Sequence, residues 1–439
     1  MDQPGRFDRI MSWALPAIAA ATPLVIVYSL QRPNVGQAYF FILATFIAAA
    51  AQGMAWAFNF SPMPRRLRAP LVLFALVAAA VLASLPASRS QIFSLKQLLL
   101  PAAGVLFYML VTASPLRRAI LPRASLAMMA VGGLLAIYGI GQHFGIEILN
   151  YSDVVRKNAV IATIGHPNYL SSVLGPIVFL TVSLYFSARR KAWGIPALGL
   201  VLLCLCCIIL ARTRSIWLGL GVATLVMFAG GALYSRRNRA AHPIVGKLGL
   251  GILVSLIGLI LFGGVVTLSG NPIGLKERLG SQKEISSRFF YWNAAIDLGR
   301  ERPVFGRGYA MFDPEFWPYV LRQQKTAMGK YYRDMLPAVS GTNPGHAHNE
   351  YIEAFFETGV FGLTALVALL GFFLYCGWLR MMREPDERAA FQQLAVLCAL
   401  VLMCIDASLA FPWRLPVSLI MLMLTLAWIH EFIYDHETT

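Results

Sequence analysis

Long apolar blocks separated by short polar breaks set the pattern of this chain; single positions do not alternate. Twelve blocks are long enough, or nearly so, to cross a hydrocarbon core, which takes about 20 apolar residues per helix. They cover residues 11–30, 37–60, 69–85, 92–112, 125–144, 169–186, 192–211, 215–234, 248–270, 360–378, 389–405 and 415–429. The pattern predicts an all-α, polytopic integral membrane protein of about 12 transmembrane helices. The first block follows Arg6 and Arg9 but exceeds a signal-peptide core, and eleven more blocks come after it, so it reads as a retained span.

Two breaks depart from the rhythm. Residues 145–168 end in Gly165-His166-Pro167-Asn168, and residues 271–348 form the longest non-apolar stretch. The second is rich in aromatic residues that can bury surface, so it is expected to be ordered. A helix is expected at 286–298, capped by Ser286 or Ser287, with Phe289, Trp292 and Ile296 on one face. A second is expected over 314–336, interrupted near Pro318. The chain then divides into 1–270 with spans 1–9, 271–348 as an outer loop or lid, and 349–439 with a helix start and spans 10–12.

Composition agrees: 58% of residues are hydrophobic and 13% charged, which no soluble fold of 439 residues requires. The net charge of +16 is a topology signal rather than a nucleic-acid footprint. With both ends on one side, that side receives 18 of the 37 basic residues: Arg6, Arg9, Arg65, Arg66, Arg68, Arg117, Arg118, Arg123, Arg189, Arg190, Lys191, Arg236, Arg237, Arg239, Lys247, Arg380, Arg383 and Arg388. The positive-inside rule makes that side cytoplasmic and puts 271–348 outside. All six cysteines fall in apolar blocks, so no disulfide framework is expected.

Candidate chemistry lies at the outer edge. An Arg at the centre of a membrane helix costs roughly 2.5 to 3.5 kcal/mol on insertion scales, so cations kept at that edge suggest a site for an anion. Arg212 and Arg214 share one tight outer turn, against the positive-inside bias. Snorkelling anchorage explains Arg212 better; Arg214 is the stronger anion ligand. Arg288 opens the loop helix, where it is either a solvated surface charge or a second guanidinium able to fork onto phosphate oxygens. His348 follows a turn and precedes Glu350, Glu353 and Glu357 at helical spacing. Its imidazole can accept a proton at neutral pH, any of the three acids could orient it, and the bland alternative is a helix cap. His346 and His348 diverge on a helix, so no metal site and no cofactor are expected. His166 and Asn168 can bind substrate or simply start a helix, with Asn168 as cap. Asp406 is expected to pair with Arg414. There is no P-loop, Rossmann fingerprint, serine elbow or cysteine-based site.

Together the motifs resemble the O-antigen ligase (WaaL) family, within the wider O-antigen ligase/polymerase group of membrane glycosyltransferases. His348-Asn349, nine residues, then Gly359-Val360-Phe361-Gly362 fits the pattern His-[Asn/Ser/Gln]-x9-Gly-x-x-[Gly/Thr/Tyr]. Gly165-His166-Pro167-Asn168 resembles the family's Gly-x-Pro-Asn element. Thr213-Arg214 stands where its Ser-Arg dipeptide falls, and Arg288, Trp292 and Pro303-Val304-Phe305-Gly306-Arg307-Gly308 resemble its Arg…Trp…Pro-x-Phe-Gly-x-Gly stretch. The resemblance implies a GT-C-like bundle in a bacterial inner membrane, both termini cytoplasmic and the active site facing the periplasm. The donor it implies is an O-antigen polysaccharide on undecaprenyl diphosphate, and the acceptor a hydroxyl of lipid A–core oligosaccharide. Transfer would be inverting and metal-independent. His348 would be the general base, Arg214 and Arg288 would hold the diphosphate, and Arg212, Asn349, His346, Asn168 and His166 would line the substrates. Besides membrane lipids no other partner is expected, nucleic acid included. The rival readings are an O-antigen polymerase or protein O-oligosaccharyltransferase of the same group and, from another class, a lipid or solute transporter.

Overall fold

Hydrocarbon accepts only backbone whose polar groups bond within the segment, so the apolar blocks must be helices. The structure is a computed structural model that describes residues 5–27, 33–58, 68–149, 159–187, 194–238, 282–326 and 345–434. Among the described residues there are fourteen α-helices and no strand. They are α1 (Arg6–Ala21), α2 (Pro33–Ala57), α3 (Arg68–Ser84), α4 (Gln91–Gln97), α5 (Leu99–Ala113), α6 (Arg117–His143), α7 (Pro167–Ser187), α8 (Gly194–Ala211), α9 (Arg214–Asn238), α10 (Gln282–Arg300), α11 (Phe312–Gln323), α12 (Glu350–Arg383), α13 (Glu387–Ala407) and α14 (Pro416–Tyr434).

Ten helical stretches among the described residues are long and apolar enough to cross a membrane. They coincide with the second to eighth and tenth to twelfth blocks; α4 and α5 together make the fourth. The first block differs. α1 has 16 residues and takes in Arg6 and Arg9, then stops where Pro23, lacking an N–H, sits in a 3-10 turn. The ninth block, 248–270, lies outside the described residues, as do 271–281 and 327–344 of the long break. The side chains of Arg65, Arg66, Arg68, Arg189, Arg190, Lys191, Arg239 and Lys247 from the charge count lie outside them too.

The bundle is built around α7, α13 and α14, its most buried spans. α13 packs on α7 and α9, α14 on α5, and α12 on α3. Leu76, Leu134, Leu225 and Val367 are exposed in mid-span, as lipid-facing positions are. One end of the bundle carries Arg117 and Arg118 paired to Glu431 at 2.5 and 3.1 Å, and Arg123 over the Trp13 ring at 4.2 Å. The other end carries α10 and α11.

That outer pair has a core of its own. Phe290, Tyr291, Ala294 and Leu298 of α10 meet Phe312, Phe316 and Val320 of α11, with Ala347 and Phe356 closing the cluster. The buried face of α10 is therefore not the expected one. Phe289 is exposed and packs edge-on against Trp292 at 5.2 Å, outside this core. The alanines explain the choice, since small residues let α10 come close to α12. α11 spans Phe312–Gln323 with Pro318 inside it, so Pro318 does not interrupt the helix.

The connection between α10 and α11 docks on α12 mainly through backbone hydrogen bonds. Val360 N donates to Pro303 O at 2.8 Å, Gly308 N to Glu357 O at 3.0 Å, and Arg307 N to Phe356 O at 3.0 Å. α12 must break to offer those groups, and it does so at Gly359, with φ 67° and ψ −167°. A Cβ on Gly359 would lie 2.2 Å from Val304 O, and one on Gly306 would lie 2.3 Å from Glu357 O. Glycine is required here twice over, by conformation and by space.

Gly359→Ala should therefore melt at a lower temperature than the parent protein in detergent. The left-handed backbone alone costs about 1–2 kcal/mol, and the clash adds to it. Gly145→Ala is the matched control: its φ is +84° but a Cβ there meets nothing within 4 Å, so it should show only the smaller loss.

Candidate functional site

Residues 345–349 form the turn that presents His348. His348 has φ 56°, a left-handed backbone uncommon for any residue with a side chain. Asn349 is extended and caps α12: its Oδ1 accepts from Tyr351 N and Ile352 N at 3.0 Å each. The cap is thus Asn349, not His348. Glu353, one turn into the helix, pins the turn from below. Its Oε2 accepts from Ala347 N at 2.8 Å, and its Oε1 lies 2.8 Å from His346 Nδ1. Glu353, one of the three acids that could have oriented His348, holds His346 instead.

His348 lines a pocket with His166, Asn168, Tyr169, Ser172 and Phe411. Its ring stacks on Tyr291 at 5.9 Å and meets the edge of Phe411 at 4.9 Å. Among the described residues no side chain hydrogen-bonds the ring. Tyr291 lies one turn beyond Arg288 on α10, which sets both residues over the same face. Desolvation, and then the Arg288 charge, push the His348 imidazole down to about 3. Burial and that neighbouring charge both favour the neutral imidazole.

The opposite wall is the start of α7. Pro167 is its first residue, where a missing N–H is harmless. Asn168 N donates to His166 Nδ1 at 3.2 Å, so His166 rather than Asn168 serves this helix start. Thr213 ties the α8–α9 turn to the same place, accepting from Ser171 Oγ at 3.0 Å. Arg214, the first residue of α9, is thereby held beside the α7 wall. Arg212 is left-handed (φ 56°) and its charge acts on His143 at the end of α6. The structure thus brings His166, Asn168 and His348 into one pocket, with Arg288 acting on His348 electrostatically, while Arg214 follows directly on Thr213, which bonds α7. Arg212 has a different neighbour, and His346 faces a second cavity.

Arg414, between α13 and α14, does not pair with Asp406. Its Nε lies 3.2 Å from Glu350, its Nη1 3.4 Å from Glu353 and its Nη2 2.9 Å from Glu357. These acids stand on one face of α12, aimed at the α13–α14 turn. Asp406 instead accepts from Ser172 Oγ at 2.6 Å. Glu357 also accepts from Ala310 N at 2.9 Å, which links this cluster to the docked loop. Tyr291 and Phe411, which hold the His348 ring, were missed as site residues in the sequence. Tyr291 was one aromatic among many, though its spacing to Arg288 is a usable signal. Phe411 sits in an unremarked short turn.

Removing Arg414 leaves three buried carboxylates against no guanidinium. Breaking such a buried pair costs on the order of 3–5 kcal/mol. Arg414→Leu should fail to accumulate or melt far below the parent in detergent, and Arg414→Lys, a point charge without the fork, should fall between them.

Residues 198–367 match the family model described as O-Antigen ligase. The match takes in Arg212, Arg214, Arg288, His346, His348, Asn349 and Gly359. The chain is also 25% identical over 225 residues to the "Exopolysaccharide production protein ExoQ" of Rhizobium meliloti (strain 1021), across 49% of this chain and 46% of that protein. It thus aligns with about half the length of that curated relative. Over residues 198–367 the chain is similar to the family described as O-Antigen ligase, in line with the resemblance read from its motifs.

Proposed function

We propose that this protein is a membrane glycosyltransferase that moves a polysaccharide from undecaprenyl diphosphate to a sugar hydroxyl of lipid A–core oligosaccharide at the outer face of the inner membrane. The observation that carries the reading is the His348 imidazole, fixed in a left-handed turn, lining a pocket, without a hydrogen-bonding side chain among the described residues, and kept neutral by burial and the Arg288 charge. The acceptor oxygen attacks the anomeric carbon, the bond from that carbon to the diphosphate oxygen breaks, and the hydroxyl proton passes to His348. Attack from the side opposite the leaving group inverts the centre. Arg288 and Arg214 take the charge that develops on the diphosphate, as fixed cations do at leaving groups.

The low proton affinity of His348 fits this role. Arg288 helps depress it, and a diphosphate arriving at Arg288 offsets that charge, so the imidazole becomes a better base once the donor is bound. Base strength is then coupled to donor occupancy.

Both termini are proposed to be cytoplasmic, with 271–348 and the His348 pocket outside; the boundaries at 270 and 348 belong to this reading. It is supported by the His348 pocket and the Arg214 turn lying at the end of the bundle away from the Arg117–Glu431 cluster. A second reading, a polymerase whose acceptor is another lipid-linked glycan, is favoured by the likeness to a protein named for exopolysaccharide production.

Transfer assayed with purified protein and both lipids tests the proposal. His348→Ala should lose about a hundred- to ten-thousand-fold in rate while still binding donor; a fully active variant would overturn the general-base role. Arg214→Ala and Arg288→Ala should each lose on the order of 3–4 kcal/mol of transition-state stabilisation, with EDTA leaving the parent active. Because the base must be neutral and its free-enzyme value is lowered, kcat/KM for the donor should hold as pH falls past 6.5 and fail only towards about 3. The corresponding limb of kcat, measured with donor bound, should lie higher. A kcat/KM limb at 6.5 would mean that neither burial nor Arg288 lowers His348.

A further inference from the structure

The α10–α11 connection carries an apolar tip that neither helix covers. Val304 and Phe305 are 56% and 50% exposed, directly after the exposed charges of Arg300, Glu301 and Arg302. Arginines followed at once by bare apolar side chains suit a boundary between headgroups and acyl chains. Scattered exposed apolar residues are ordinary on any surface, so the level at which this tip stands decides what faces it.

α12 fixes that level. Residues 360–378 carry no charge, with the three glutamates before them and Arg380 and Arg383 after them. Those 19 residues rise about 28 Å, close to the roughly 30 Å of a hydrocarbon core. The outer edge of the hydrocarbon therefore falls at the Gly359 break, where the tip is docked. Val360 N donates to Pro303 O at 2.8 Å and Phe361 N to Val304 O at 3.3 Å. The Phe305 ring meets that of Phe361 edge-on at 6.1 Å. Below the tip, Val360, Thr364 and Val367 form an exposed stripe at helical spacing, so the tip continues a lipid-facing surface. Its backbone suits that place: Pro303 has no N–H, the carbonyls of Pro303 and Val304 are taken by α12, and Gly306 N donates to Arg302 O at 3.0 Å. The outer end of the neighbouring span adds to the patch. Ser94 Oγ on α4 donates to Tyr309 O at 2.6 Å, and Ile92 and Leu95 on that helix are exposed.

We propose that the 303–305 tip is a membrane anchor, seated among the acyl chains of the outer-leaflet phospholipids, and that it sets the height of the His348 turn above the bilayer. The rigid residues 350–358 carry that turn up to about 13 Å beyond the hydrocarbon edge, on the outer side of a headgroup layer about 5–8 Å deep. A lid anchored in this way keeps the imidazole level with groups that protrude from lipids rather than with their chains. The inference rests on the proposed topology for the choice of leaflet, and on the transferase reading only for its effect on turnover.

Depth can be measured without any transfer. The full chain is reconstituted in phosphatidylethanolamine–phosphatidylglycerol vesicles with a nitroxide on Phe305→Cys, the parent giving the background from its native cysteines. Val367→Cys in mid-span and Lys325→Cys on the lid are the apolar and aqueous references, both at exposed positions. The label at 305 should collide with oxygen more than with a water-soluble nickel chelate, and so resemble 367 rather than 325. Nickel access equal to that at 325 overturns the anchor, and shielding from both reagents overturns it in favour of a second copy of the chain. Val304→Asp combined with Phe305→Asp should melt with the parent in detergent, because both side chains are already exposed; Phe305→Ser alone serves if the pair melts early. In vesicles the variant should transfer about tenfold more slowly than the parent, and undiminished transfer overturns the role in setting height. A parent that transfers nothing removes the transferase reading and leaves the depth measurement to decide the anchor.

Discussion

The fold of the outer end depends on one constraint: α12 has to stop being a helix at a defined point so that another backbone can dock on it. Gly359 opens the break, Gly306 faces it, and three N–H···O=C bonds between 303–308 and 356–360 fill it. Between Asn349 and that break lie the nine helical residues 350–358, a rise of about 13 Å. The length is a rigid spacer. It fixes how far the His348 turn stands from the α10–α11 connection, and it puts Glu350, Glu353 and Glu357 in register with Arg414. The spacing from His348 to Gly359 in the sequence is thus a distance in the molecule.

The acids on that spacer do two jobs at different depths. Glu353 sits highest in effect, because it bonds both His346 and the backbone of Ala347 and so holds the turn whose next residue is His348. Glu357 bonds the docked loop at Ala310, and Glu350 bonds the backbone of Trp413 at 3.0 Å. Arg414 compensates all three. The guanidinium is what permits so much carboxylate to be buried, since an uncompensated buried charge is far costlier than a satisfied one.

Ten of the twelve spans were legible because hydrophobicity and length are enough to define a membrane helix. The first was misplaced because apolar character runs on past the point where Pro23 ends the helix. The pairing of aromatics in α10 was misread for a related reason: Phe289, Trp292 and Ile296 have the right period, but Ala294 and Ala295 decide which face can approach α12. In the site, residue types told where chemistry gathers. They could not tell that Arg414 would choose the three glutamates over Asp406, or that His346 and not His348 would take the nearest acid. Those choices depend on how α12, α13 and α14 face one another, which no local pattern encodes.

The aromatic core of α10 and α11 is separate from the core of the bundle, and Ala347 belongs to it. His348 is thus attached, through its immediate neighbour, to the smaller cohesive body, whereas Ser172 and Tyr169 on the facing wall ride on the larger one. The pocket is a seam between two units that can respond differently to heat, detergent or lipid. Amide exchange across the seam would report two protection levels rather than one. The geometry around the imidazole is then only as durable as the weaker of the two bodies.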